Sequence, residues 1–337
     1  MEGKRYLIVG SNVRNVAESA RKAGYEVYVL TKHADADLRL YAKQVFRIED
    51  ESGEWVRKRA LELSESLEAE IIWASGYEEF QGKSVERVVN KRWFYAELDR
   101  IGIDYPELLS DGERGILKPE KGGGGEEVRI GERREKGFIL QRYIPGTPCS
   151  VSVISTGEEA KGIAVNRMLV GLEEFNATGF RYCGNITPFK SDAARQMVSI
   201  AEELVLYFEL TGNVGVDFIL ADKPYVLEIN PRFQGSLDSI EWACDCNLFR
   251  MHVNAVEGKL SDCRVRRFAG RAVVFADRDV KIGSSPIGNP FFADIPVRGA
   301  RYRKDDPLVS VLASGGDEED VMRRLVERER LFTEMIA

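Results

Sequence analysis

Apolar and polar residues follow two different periods along this chain, and the change from one to the other divides it into regions. In "RYLIVGSNVRNVAESARKAGYEVYVLTKH" an apolar run from Tyr6 to Val9 passes through Gly10 into a 3.6-residue pattern over Val13 to Ala23, then into a second run over Glu26 to Thr31. Strand, turn, helix, strand is the repeating unit of a doubly wound parallel sheet. A helix over Ser52 to Leu67 and a strand in "AEIIWASG" continue it. The next loop, Ser75 to Glu79, then lies beyond a carboxyl strand end, where open sheets place ligands. One helix is predicted from Val85 to Ile101. After "GIDYPELLSDG" the chain becomes strand-rich, with strands in "GILKPEKGGGGEEVRI", "GFILQRYIPG", "CSVSVIS" and "AKGIAVNRM". Helices return over Ser191 to Leu210 and Leu237 to Glu257. Strands at Ala272 to Ala276 and Leu308 to Ala313 and the helix "DEEDVMRRLVERERLFTEM" close the chain. The fold class is α/β, with an α+β central part.

Within this pattern "YVLEINPRFQG", Tyr225 to Gly235, is unusual. Alternation puts Glu228 and Asn230 on one face and Leu227 and Ile229 on the apolar face. The preceding "GVDFILADK" reads as its partner strand, and a hairpin symmetric about Asp222 and Lys223 sets Asp217 opposite Glu228. Facing carboxylates repel, so the arrangement calls for something positive between them. Two carboxylates and an amide oxygen suit a hard divalent cation completed by phosphates and water, with Arg232 two residues on to meet phosphate charge. Relief of that repulsion by Glu228→Gln is expected to raise the melting temperature of the metal-free protein.

Composition narrows the classes. The chain has 337 residues, 44% hydrophobic and 31% charged, which fits a globular protein of two or three domains. No apolar run reaches a membrane-spanning length and no signal-peptide pattern opens the sequence, so a cytoplasmic location and no membrane partner are expected. A net charge of -7 gives no broad basic footprint for nucleic acid. The five cysteines lack paired CxxC spacing and read as buried thiols, and two histidines argue against His-based chemistry. Gly10 stands alone in its turn, so the dinucleotide fingerprint is absent. In "ILKPEKGGGGEEV", Lys118 precedes a loop of Gly122, Gly123, Gly124 and Gly125, whose amides can approach an anion closely. The spacing is not that of a P-loop.

"NKRWFYAELDRIGIDYP", "ILKPEKGGGGEEV", "FILQRYIPG", "GVDFIL" and "YVLEINPRFQG" occur in the order and spacing of the ATP-grasp superfamily of ATP-dependent ligases, which this chain resembles over roughly Lys91 to Glu241. Residues 1–85 are similar to the Rossmann-like preATP-grasp domain. Residues 86–265 resemble the ATP-grasp domain, with antiparallel-sheet subdomains at 86–145 and 146–265. The section 266–337 resembles the end of biotin carboxylases through "DDPLVSVLASGGDEEDVMRRLVER".

The resemblance implies that Lys91 and Lys118 bind ATP phosphates under the Gly122 to Gly125 loop, and that Gln141, Arg142, Tyr143 and Ile144 form the adenine hinge. Asp217, Glu228 and Asn230 would ligate Mg2+ or Mn2+, and Arg232, with Lys118, would act on the transferring phosphoryl group. One departure stands out: where many relatives carry a ribose-binding Glu, "GTPCS" has Pro148. Arg181 is a candidate for a substrate carboxylate. The implied activity is carboxylate activation as an acyl phosphate and transfer to an amine or similar nucleophile. The alternatives are a bicarbonate-activating member of the biotin carboxylase and carbamoyl phosphate synthetase branch, or a non-catalytic nucleotide-binding regulator. The partners are ATP, a small carboxylate and an acceptor; a homo-oligomer is left open.

Overall fold

The computed structural model describes residues 3–125 and 127–336. Its first region contains β1 (Arg5–Gly10), α1 (Arg14–Lys22), β2 (Glu26–Thr31), α2 (Leu38–Tyr41), β3 (Gln44–Arg47), α3 (Gly53–Leu67) and β4 (Glu70–Trp73). The strands pair in parallel in the order β3-β2-β1-β4. Alternate residues of β1 enter two different cores: Leu7 and Val9 pack with α3, while Tyr6 and Ile8 pack on α1 and on Phe249 of a later helix. Burial on both faces is why this strand reads as an unbroken apolar run.

The predicted helix from Val85 to Ile101 is two, α4 (Lys83–Val89) and α5 (Lys91–Ile101). Asn90 between them takes an extended conformation, and its side chain accepts from the Arg92 and Trp93 amides at 3.0 and 3.3 Å. This is an N-cap, which starts a new helix and points Lys91 inward from its first position. A small antiparallel sheet follows, in the order β6 (Arg129–Gly131), β5 (Gly115–Pro119), β7 (Phe138–Gln141).

The remaining strands are β8 (Thr147–Thr156), β9 (Ala160–Val170), β10 (Tyr182–Thr187), β11 (Thr211–Leu220), β12 (Pro224–Asn230), β13 (Phe268–Phe275), β14 (Val280–Lys281), β15 (Phe292–Ala293), β16 (Arg301–Tyr302) and β17 (Pro307–Gly315). Eight of them form one sheet, β12-β11-β8-β9-β10-β13-β17-β15, so strands after residue 266 hydrogen-bond directly onto the ATP-grasp-like part. The helices here are α6 (Ala194–Tyr207), α7 (Leu237–Cys244), α8 (Leu248–Val256) and α9 (Glu318–Ile336). The predicted helix Leu237 to Glu257 is therefore also broken. Asp245 adopts a left-handed conformation and Asn247 caps the next helix by accepting from the Arg250 amide at 2.8 Å.

β10 has no clear sequence pattern because it places Asn185 and Thr187 inside the protein. There they bond to Asn166 and Ser239 in a buried polar network. A second buried network joins the first region to the others. Arg14, fully buried on α1, grips Asp238 of α7 bidentately at 3.0 and 2.6 Å and reaches Asp294 at 3.1 Å. Arg271 of β13 also holds Asp294, at 2.7 Å.

Candidate functional site

The hairpin of β11 and β12 turns through three residues, Ala221 to Lys223, closed by the Ala221 amide donating to the Lys223 carbonyl at 3.1 Å. An odd loop alone would set Asp217 opposite the wrong residue. A bulge at Leu227 corrects this: Phe218 pairs with Val226, but Asp217 pairs with Glu228. The expected facing pair therefore forms, while the expectation for Leu227 does not hold. Val226 and Ile229 are buried in the core, and the extra residue, Leu227, faces a cavity of about 700 Å3 instead. The Tyr95 hydroxyl donates to the Leu227 carbonyl and pins the bulge.

Six of the expected residues meet at this cavity: Lys91, Lys118, Asp217, Glu228, Asn230 and Arg232. Lys91 Nζ lies 3.2 Å from Glu228 and donates to the Gly122 carbonyl at 2.6 Å, tying the α5 N-terminus to the glycine loop. The Asn230 amide nitrogen donates to Asp217 at 3.1 Å and to Glu228 at 3.3 Å. It thus supplies weak positive charge between two carboxylates. Its oxygen accepts from Arg232 at 3.2 Å, and Arg232 Nε bonds Glu78 at 3.1 Å. Glu78 belongs to the loop after β4 that the strand pattern marked as facing a ligand. Gln81 of the same segment donates to the Pro231 carbonyl at 2.7 Å.

Electrostatically the cluster is unbalanced. Burial, then the adjacent Glu228, pushes the Asp217 carboxyl well above the ordinary carboxylate range. Burial disfavours the Glu228 charge too, but Lys91, the Asn230 amide and Lys118 together bring its pKa below the usual value. Burial lowers Lys118 to about 8, partly opposed by Glu228. An acidic pair separated only by an amide, beside two lysines, fits a divalent cation that takes two carboxylates and leaves positions for phosphate oxygens.

Gly122, Gly123, Gly124 and Gly125 form one wall of the cavity. The Tyr182 amide donates to the Gly124 carbonyl at 3.1 Å, and a Cβ at Gly125, where φ is +77°, would collide with the Phe180 carbonyl. Only glycine lets the loop lie this close to β10.

The hinge residues diverge. Tyr143 and Ile144 line the cavity with Met168, Val170 and Phe180. Arg142 also borders it, but pairs outward with Glu107 at 2.6 Å. Gln141 does not line the cavity; it is fully buried behind it and donates to the Pro106 carbonyl at 2.7 Å. Pro148 contributes to the wall, whereas Arg181 lies 4.8 Å over the Phe275 ring and is outside the lining. Sequence reasoning did not single out Ser150, Tyr182, Gln234 or Ser236, which extend the wall beyond Arg232. "FQGS" directly after the acidic strand was the available signal for two of them.

Residues 88–236 match the ATP-grasp domain family. This span, under half of the chain, is where the ATP-grasp resemblance read from the sequence is borne out. It is 27% identical to an uncharacterized protein of Methanocaldococcus jannaschii, over 91% of this chain and 87% of that one. Among solved structures it resembles the biotin carboxylase domain of Hydrogenobacter thermophilus 2-oxoglutarate carboxylase, described with MgADP and bicarbonate. The TM-score is 0.76 and the identity 14%, covering 96% of this chain and 89% of that one. It also resembles phosphoribosylamine–glycine ligase of Thermotoga maritima, with a TM-score of 0.73 and 16% identity over 97% and 96% of the two chains. At such identities the likeness is one of fold. No helix among the described residues is long and apolar enough to cross a membrane.

Proposed function

We propose that the protein is an ATP- and Mg2+-dependent ligase that activates a carboxylate as an acyl phosphate and passes the acyl group to an amine or similar nucleophile. The convergence of Lys91, Lys118, Asp217, Glu228, Asn230 and Arg232 at one cavity carries this reading. Lys91 and Lys118 hold the terminal phosphates under the glycine loop. Tyr143, Ile144, Met168 and Phe180 enclose the base, with Gln141 bracing the hinge from behind. Asp217, Glu228 and Asn230 hold Mg2+ or Mn2+, the Asn230 amide turning its oxygen inward. The bound cation neutralises charge on the phosphate oxygens. A substrate carboxylate oxygen attacks the γ-phosphorus and ADP leaves; the amine then attacks the acyl carbon and inorganic phosphate leaves. Arg232, oriented by Glu78, stabilises charge on the transferring group, a role aided by Lys118.

Bicarbonate activation is the second reading, favoured by the fold likeness to a biotin carboxylase domain. A panel of amino acids, dicarboxylates and bicarbonate with ATP, Mg2+ and hydroxylamine tests both. ADP, phosphate and a hydroxamate from an organic acid support the ligase. ADP release with bicarbonate alone favours the second reading, and AMP with pyrophosphate overturns both.

A further inference from the structure

Three of the five cysteines meet at a place the proposed reaction does not use. Cys244 ends α7, and the left-handed Asp245 turns the chain so that Cys246 returns to the same side. The irregular segment after α8 brings Cys263 back to the cavity that the other two line. All three pack on the same apolar cluster and border one cavity of about 780 Å3. The segment is held there by its backbone, since the Arg266 amide donates to the Ala243 carbonyl at 2.8 Å. Cys244 is buried, whereas Cys246 and Cys263 are half-buried and open to small reagents.

We propose that Cys263 and Cys246 form a reversible disulfide that clamps the segment after α8 onto the end of α7. The co-reactant is a low-molecular-weight disulfide, RSSR. The Cys263 thiolate attacks one sulfur, giving a mixed disulfide; RS⁻ leaves and takes up the proton Cys263 lost. The Cys246 thiolate then attacks the Cys263 sulfur and releases the second RSH. Two protein thiols and RSSR thus become one protein disulfide and two RSH.

The full chain is incubated with oxidised glutathione, alkylated and digested with trypsin. Titratable thiols should fall from five to three, and the peptide 233–250 should be joined to 260–264. The unfolding midpoint should rise and return with dithiothreitol. Cys263→Ser should abolish the cross-link, and Cys246→Ser should leave glutathione attached to Cys263. Five free thiols under excess oxidant would overturn the proposal. So would a cross-link of unchanged yield in Cys246→Ser, or one equivalent of Zn2+ protecting all three thiols from alkylation.

Discussion

Two buried groups of charge are built in opposite ways. In the network around Arg14, arginines and aspartates alternate: Arg14 grips Asp238 and touches Asp294, which also accepts from Arg271 and Ser310. The two guanidiniums hold Asp294 far below the usual carboxylate range. Asp35 and Asp37 at its margin are instead held up, to about 7 and about 6, chiefly by burial. In the cavity, Asp217 and Glu228 face each other, only an amide lies between them, and Lys118 is partly discharged by burial. The first group pairs most of its charges within the protein, leaving Asp35 Oδ2 and Arg271 Nε without a hydrogen-bond partner among the described residues, and joins three parts of the chain. On the proposed function, the second becomes balanced when cation and phosphate arrive together. A charged group in a core thus marks function when its partners repel, and architecture when they alternate.

The largest effect should come from Arg14→Met, which takes the bidentate partner from buried Asp238 and leaves Arg271, among the described residues, as the one guanidinium for both Asp238 and Asp294. We expect a loss of about 3–5 kcal/mol in urea unfolding. A loss under about 1 kcal/mol, the range of a surface pair, would break the comparison. Glu228→Gln should reduce turnover roughly 10²-fold or more while keeping the fold. The earlier expectation of a higher melting temperature for this variant is corrected by the geometry: Glu228 neutralises Lys91 and Lys118, so its loss should lower metal-free stability.

Relief of repulsion belongs to Asp217→Asn. The folded pKa of Asp217 lies above its unfolded value, so its stabilising contribution is present at low pH and lost as pH rises through the folded pKa. The variant should therefore gain up to about 1 kcal/mol at neutral pH without metal, and almost nothing below about pH 4. Equal melting temperatures at neutral pH would remove the repulsion from the account. The smallest effect concerns Lys118. At pH 8.5 nucleotide binding should take up a fraction of a proton as phosphate restores its charge, seen as buffer-dependent binding heat. Buffer-independent heat would show that Lys118 stays charged in the free protein.

The motif residues were legible because their chemistry is local: Lys118 before four glycines, and an acidic strand ending in Asn-Pro-Arg. The doubly wound start was legible because β1 is buried on both faces. Arg14 was not, since its buried partners Asp238 on α7 and Asp294 just after β15 lie more than two hundred residues away in sequence. Cys263 was not linked to the other two cysteines because only the irregular segment after α8 carries it back to their cavity. Gln141 read as a hinge residue, but a strand gives no sign of which face meets the cavity until Pro106 is in place.

The bulge at Leu227 has a consequence for how freely this hairpin can vary. Past it, alignment is anchored from outside the loop, by β8, where Ser150 pairs with Asp217, and by the Tyr95 hydroxyl. Lengthening the tip at Asp222 should disturb only the outer rungs, making it a permissive point for an inserted tag or epitope. Deleting Leu227 alone would put Glu228 directly after Val226 and so still opposite Asp217, straightening the strand while the acidic pair stays in place.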